Sequence, residues 1–273
     1  MNVDAARLRA DIEANAQFGA VDASEGPART VLTGSDADKQ VRERFVERLS
    51  AAGLSVRVDA VGNIVGRWIP PSCDPDAAPV AVGSHFDSVP RGGIFDGPLG
   101  TYGALESVRA MQAAEVSPAR PIEVVCFTEE EGARFGVGTL GSSVATGQRT
   151  ASEALSLTDD EGVSLATHLE RIGFAGEDTI DAAHWDSWVE LHIEQGTKLT
   201  SNDAGVGIGN SLHTNNHVVL DGSEMAAEKA RRVFTTDPGM GVIRHADAGY
   251  EEALAEANES DVPIPMRDAT EGE

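Results

Sequence analysis

The chain has 273 residues, 41% of them hydrophobic and 24% charged, which suits a soluble globular protein of one large domain or two modest ones. Acids outnumber bases 45 to 21, a formal net charge of −24, and a surface of that sign repels nucleic-acid phosphates and anionic lipids. No apolar run nears the ~20 residues of a membrane span, and residues 1–17 carry acids where a targeting peptide carries bases, so the expectation is a cytoplasmic protein with no nucleic-acid and no membrane partner.

Residues 3–17 and 36–52 read as amphipathic helices. In the second, Val41, Phe45, Val46 and Leu49 recur at helical spacing and Gly53 supplies the stop. LSVRVDAVGNIVGRWI (54–69) alternates like a hairpin with Gly62-Asn63 at its centre, and 70–79 is a surface loop. Three short apolar runs follow, at 79–85, 122–131 and 187–196, separated by a helical segment at 97–115 and several pieces within 139–183. That alternation predicts an α/β sheet, mostly parallel and covered on both faces. After Leu199 the text turns Gly-rich and polar. A boundary near Ala204 divides a domain at 1–204 from a short α/β segment at 205–273. The two cysteines, Cys73 and Cys126, make no disulfide framework, and Cys126 reads as a buried, inert thiol. Lysine occurs only at Lys39, Lys198 and Lys229, and the acid excess is spread over both segments. A lysine-poor acidic surface of this kind is the pattern of a salt-accumulating halophile.

Each of the three apolar runs ends in residue types that bind metals, and open α/β sheets place their ligands at the carboxyl ends of strands. Ser84-His85-Phe86-Asp87 puts His85 and Asp87 on one side of an extended chain. One imidazole there can hold a metal while the neighbouring carboxylate orients a ring. Asp96 follows in the Gly-rich loop RGGIFDGPLG, just ahead of a helix. Glu129, Glu130 and Glu131 close the second run, and such neighbours repel one another unless a cation is present or some are protonated. A metal hydrolase needs one carboxylate on the metal and another to carry the proton of the attacking water. His192 closes the third run. Two imidazoles, several carboxylates and no thiolate suit zinc, manganese or cobalt.

GSHFDSVPRGGIFDGPLG, FTEEEGARF and ELHIEQG together resemble the signatures of M20-type amidohydrolases. Over about residues 3–200 the likeness is to the branch of N-carbamoyl-L-amino-acid hydrolases, allantoate amidohydrolases and β-ureidopropionases. The resemblance implies a three-layer αβα zinc-peptidase-like catalytic domain. It also implies two divalent metals and hydrolysis of a linear amide, carbamoyl or ureido C–N bond in a small-molecule acid. By the same resemblance His85, Asp96 and His192 hold one metal, Asp96 (bridging) and Glu131 the other. Glu130 becomes the general base, Asp87 the orienter of His85, and Gln195 a residue near the substrate. Members of this branch continue with a lid and dimerisation domain. They then return to the catalytic domain with a last histidine for the second metal, and none of that is legible here. The catalytic domain is therefore expected to be incomplete, to hold about one metal with weak or no hydrolysis, and to self-associate through uncovered sheet.

Residues 205–266, most clearly TTDPGMGVIRHADAGYEEAL, instead resemble the C-terminal end of urocanate hydratase. That enzyme uses bound NAD held by an upstream domain, so the resemblance implies no such activity here and a fusion of two incomplete genes. It also explains His245 better than metal ligation does, and His213 and His217 fall in a polar loop. Self-repulsion at this net charge destabilises a compact state at low ionic strength, and salt screens it. The melting temperature is expected to rise steeply between low and molar KCl; a flat profile would remove the halophile reading.

Overall fold

The computed structural model describes residues 1–23 and 26–194. In chain order these form α1 (Ala5–Asn15), β1 (Ala20–Val21), β2 (Ala28–Arg29), α2 (Asp36–Ala51), β3 (Ser55–Val58), β4 (Ile64–Trp68), β5 (Val80–His85), β6 (Gly92–Gly93), α3 (Pro98–Ala113), β7 (Ile122–Phe127), α4 (Leu140–Ala145), α5 (Ala151–Leu155), α6 (Leu165–Ile172), a 3-10 turn (Ala182–His184) and β8 (Ser187–Val189). Local chemistry accounts for the helix ends. The Asp4 and Ser35 side chains accept from the Arg7 and Asp38 amides at the starts of α1 and α2, each satisfying an amide the helix leaves unpaired. Thr150 and Glu153 form a reciprocal capping box on α5, and Gly173 ends α6 in the left-handed conformation.

The main sheet has the order β3-β4-β7-β5-β8. β5 runs parallel to both β7 and β8, whereas β4 pairs antiparallel with β3 and with β7. The expected sheet is thus present but mixed rather than mostly parallel. The residues joining β3 to β4 make a short turn, which forces an antiparallel pair, and this hairpin lies against β7 as part of the same sheet. The third apolar run pairs only over Ser187–Val189. A second, small sheet has the order β1-β2-β6. No described helix is long and apolar enough to cross a membrane.

Side chains alternate across the main sheet as the strand period requires. Ile64, Trp68, Ile122, Val124 and Cys126 join Ile12, Val41, Phe45, Leu105 and Val108 of α1–α3 in one core. Val65, Ala81, Val125 and Phe127 join Ala145, Ile180, Trp185 and Trp188 in another. The result is three layers, helices and loops on either side of a sheet. Burial pushes the Cys126 thiol up to about 12, consistent with an inert packing role.

Buried polar groups tie the hairpin to the rest of the core. Arg42 pairs with Asp38 and donates to the Gly62 carbonyl and Thr128 Oγ1. Asp59 accepts from the Val61 and Asn63 amides and from Asn63 Nδ2. Burial pushes Asp59 up to about 6, against those hydrogen bonds. A carboxyl raised above its unfolded value favours the fold while protonated in it, and this contribution fades as pH rises from about 4 to about 6. Asp59→Asn keeps an acceptor for the two amides but cannot ionise. Urea unfolding at pH 4.5 and 7 is expected to show the variant gaining on the natural chain as pH rises, by roughly 2–3 kcal/mol for a shift of about two units.

Candidate metal centre

β5 ends at His85 and β7 at Phe127, and the parallel register sets these two residues opposite each other. The Ser84–Asp87 segment and the Glu129–Glu131 loop therefore leave the same end of the sheet side by side. Asp96 arrives from the loop ahead of α3. Gly97, the N-cap of α3, has φ +79, and an added Cβ would lie 2.4 Å from the His85 carbonyl oxygen and 2.9 Å from its ring. Only a residue without a side chain lets Asp96 come this close to His85. His192 lies three residues beyond β8. Two residues before it, Glu190 accepts a buried hydrogen bond from Ser84 Oγ at 2.6 Å, which fixes that segment against the end of β5.

The two imidazoles are set in the same way. His85 Nδ1 lies 3.0 Å from the Asp87 carbonyl oxygen and His192 Nδ1 lies 2.7 Å from that of Ile193. Each Nδ1 thus donates to a backbone oxygen, which leaves Nε2 as the coordinating nitrogen. Both Nε2 atoms face Asp96 Oδ1, at 3.6 Å from His85 and 3.2 Å from His192. The rings stack with centroids 6.4 Å apart. His85 Nε2 is fully buried, has no hydrogen-bond partner among the described residues, and also lies 3.7 Å from Glu130 Oε2.

The carboxylates divide the space among them. Asp87 accepts from the Glu130 and Glu131 amides through both oxygens, and its carboxylate stands 3.6 Å from His85 Nδ1. The group that holds the His85 ring is thus the Asp87 carbonyl, while the Asp87 side chain holds the glutamate loop. Glu129 adopts a left-handed backbone with φ 52 and turns its buried carboxylate to the Arg134 and Phe135 amides. The mutual repulsion within the glutamate triplet is relieved by sending its first member away. His85, Asp96 and His192 bring donor atoms within 4.8 Å of one another, and so do His85, Glu130 and Glu131. Glu131 thus meets the centre through His85 and Glu130.

Protonation follows from this crowding. Burial alone would lower His85, but the negative charges of Glu130, Asp87 and Asp96 hold it well above its ordinary value. Burial would likewise raise Asp96, yet His192 and His85 hold its carboxyl far below the ordinary range. Burial pushes Glu131 up to about 7; His85 opposes this, while Asp96, Glu130 and Asp87 add to it. Two carboxyls in one pocket are thus shifted in opposite directions, Asp96 by the imidazoles it faces and Glu131 by its burial.

Three further residues support the centre. Arg29 is fully buried and donates to the Phe86 and Asp96 carbonyls. Asn63, legible only as a turn residue, accepts from the Thr128 amide and donates to the Gly141 carbonyl, anchoring the base of the glutamate loop. Glu190 is the third. It opens the ELHIEQG signature, whose resemblance gives it no role of its own. Gln195 lies outside the described residues, as do His213, His217, His245 and the boundary near Ala204.

Two imidazole nitrogens, clustered carboxylate oxygens and no thiolate form a donor set that fits a divalent metal of the zinc, manganese or cobalt type. The unpartnered His85 Nε2 among carboxylates requires a proton or a cation. Comparison with known proteins finds relatives of two kinds. An N-carbamoyl-L-amino-acid amidohydrolase of Paenarthrobacter aurescens is 38% identical over 212 residues, 76% of this chain and 50% of that protein. A ureidoglycolate hydrolase of Arabidopsis thaliana is 36% identical over 220 residues, 77% of this chain and 44% of its own length. Among solved structures, a hydantoinase/carbamoylase family amidase from Burkholderia ambifaria matches with a TM-score of 0.72 and 38% identity, over 77% of this chain and 50% of that one. The chain thus spans about half the length of the carbamoylase relatives it matches. The family model of Peptidase family M28 matches residues 63–170, and that of the urocanase C-terminal domain residues 178–259. A urocanate hydratase of Halobacterium salinarum is 81% identical over 81 residues, 29% of this chain and 14% of that protein.

Close approach at Gly97 offers a direct check on the architecture. Gly97→Ala would require a left-handed alanine and displace the His85 carbonyl and ring. It is expected to cost about 2 kcal/mol or more, read as a lower melting temperature. An unchanged melt would mean that this approach is not tight.

Proposed function

We propose that residues 1–194 form the metal-binding part of an M20-type hydrolase that cleaves a linear carbamoyl or ureido C–N bond. The observation that carries this reading is the convergence of His85 Nε2 and His192 Nε2 on Asp96 Oδ1, with Glu130 alongside His85. His85, Asp96 and His192 would hold one divalent metal, with zinc the first choice; Asp96 and Glu131 are the groups available to a second. Bound there, the metal supplies Lewis-acid polarisation of a carbonyl oxygen and lowers the pKa of water.

The rest is the work of the chain's own residues. Glu130 takes a proton from the water that adds to the carbonyl carbon and returns it to the nitrogen as the C–N bond breaks. The Asp87 carbonyl keeps the proton of His85 on Nδ1, and the Asp87 carboxylate fixes the backbone that presents Glu130. Gln195, by resemblance, contacts a small N-carbamoyl or ureido acid. The cellular setting that suits this chemistry and charge is a salt-rich cytoplasm.

A second reading is a fusion product that binds one metal and turns over slowly or not at all, self-associating through its sheet. The half-length match to the relatives favours it. One experiment addresses both. The purified full chain is dialysed, its metal counted, and release of free amine from N-carbamoyl amino acids followed. About one equivalent of metal is expected, lost in Asp96→Ala and kept in Glu130→Gln, which should abolish any turnover. Full activity in Glu130→Gln would end its assignment as base. Two retained equivalents with brisk turnover would end the one-metal reading.

A further inference from the structure

The loop that leaves β5 starts directly after His85, carries Asp87 at that end and Asp96 at the other, and meets a single buried side chain at both ends. Arg29, in β2, donates from one terminal nitrogen to the Phe86 carbonyl at 2.8 Å and from the other to the Asp96 carbonyl at 3.0 Å. Phe86 follows His85 directly, so the two bonds grip the backbone beside one imidazole and at the carboxylate it faces. Adjacent contacts reinforce the grip. β2 pairs with β6 inside the same loop, the Val31 amide donates to Ser88 Oγ at 3.0 Å, and the Ser88 amide donates to the Val31 carbonyl at 2.9 Å.

Burying a guanidinium is costly unless charge offsets it. The offset here is Asp87, Asp96 and Glu131, each of which favours the charged form of Arg29 against its burial. Yet the described residues include no ion pair between Arg29 and any of these carboxylates; its two terminal nitrogens engage carbonyls. The cation therefore balances the acidic centre at a distance and does not compete with a metal for carboxylate oxygens. Lysine would keep the charge but lacks the planar fork that reaches both carbonyls in fixed geometry.

We propose that Arg29 is a positioning residue for the metal centre, its guanidinium fork setting the spacing of His85 and Asp96 by holding the backbone at Phe86 and Asp96. This rests on the metal-hydrolase reading above. The test titrates the natural full chain, Arg29→Lys and Arg29→Met with zinc alone, in competition with a chromophoric chelator, well below each melting temperature. Far-UV circular dichroism and melting curves are recorded in parallel. Both variants are expected to fold and to lose about 10–100-fold in zinc affinity, the usual effect of removing a group that orients metal ligands. Arg29→Lys should regain thermal stability relative to Arg29→Met without regaining affinity, a separation that a purely structural role would not produce. Folded variants that bind zinc as tightly as the natural chain would overturn the role of Arg29 alone. Variants that fail to fold with or without zinc would also overturn it, by assigning Arg29 to the fold. A natural chain that binds no zinc would overturn the metal-centre reading itself.

Discussion

The parallel ladder that sets His85 opposite Phe127 determines where every other group of the centre can lie. Strand side chains alternate with a period of two, so a slip of one residue would turn His85 into the helical layer and bring a core residue to the pocket. The register is secured because both β5 and β7 are buried on both faces, with Val124 and Cys126 packed in one core and Ala81 and Val125 in the other. Given that register, the segments after the two strands leave the sheet together, and the Glu130 and Glu131 amides come within reach of Asp87. The hydrophobic core thus acts on the chemistry through strand alignment.

Charge is the second constraint. Five carboxylates, Asp87, Asp96, Glu129, Glu130 and Glu131, are brought near one end of the sheet in a chain already carrying a net charge of −24. Asp87 accepts from two backbone amides through both oxygens, which hold the anion without adding a mobile counter-charge. Glu129, in contrast, accepts from two amides through Oε1 alone, and burial and the Asp87 charge push its carboxyl up. Arg29 offsets part of the remainder from below the loop. Asp96, Glu130 and Glu131 are left beside the imidazoles, and there the protonation equilibria are pulled in opposite directions. Such a pocket is neither a salt bridge nor a capped turn. Its residual negative potential is what a divalent cation would neutralise.

Support for this arrangement extends well outside the pocket. Asn63 in the β3–β4 turn holds the Thr128 amide, Arg42 in α2 holds the Gly62 carbonyl and Thr128 Oγ1, and Asp59 holds Asn63. The antiparallel hairpin, which contributes no candidate ligand, therefore determines where the glutamate loop starts. Loss of any link would leave a buried polar group unpaired as well as the loop less defined.

Much of this was legible in the residues. The helical period of 36–52 and the short apolar runs at 79–85 and 122–131 mark α2, β5 and β7, because burial of one stripe imposes 3.6-residue spacing on a helix and burial of both faces makes a strand a near-continuous apolar run. His85, Asp96, Glu130, Glu131 and His192 were recognisable because ligand types recur after strand ends. What the sequence could not contain was which carboxylate meets which nitrogen. The turning away of Glu129, the use of the Asp87 carbonyl to hold the His85 ring, the antiparallel half of the sheet and the grip of Arg29 on two distant carbonyls all depend on segments far apart in the chain. Local spacing marked the candidate ligand types at the strand ends. Their pairing was decided only in the tertiary structure, because hydrogen-bond geometry and electrostatics at a few ångströms follow from packing across the sheet and leave no periodic trace along the chain.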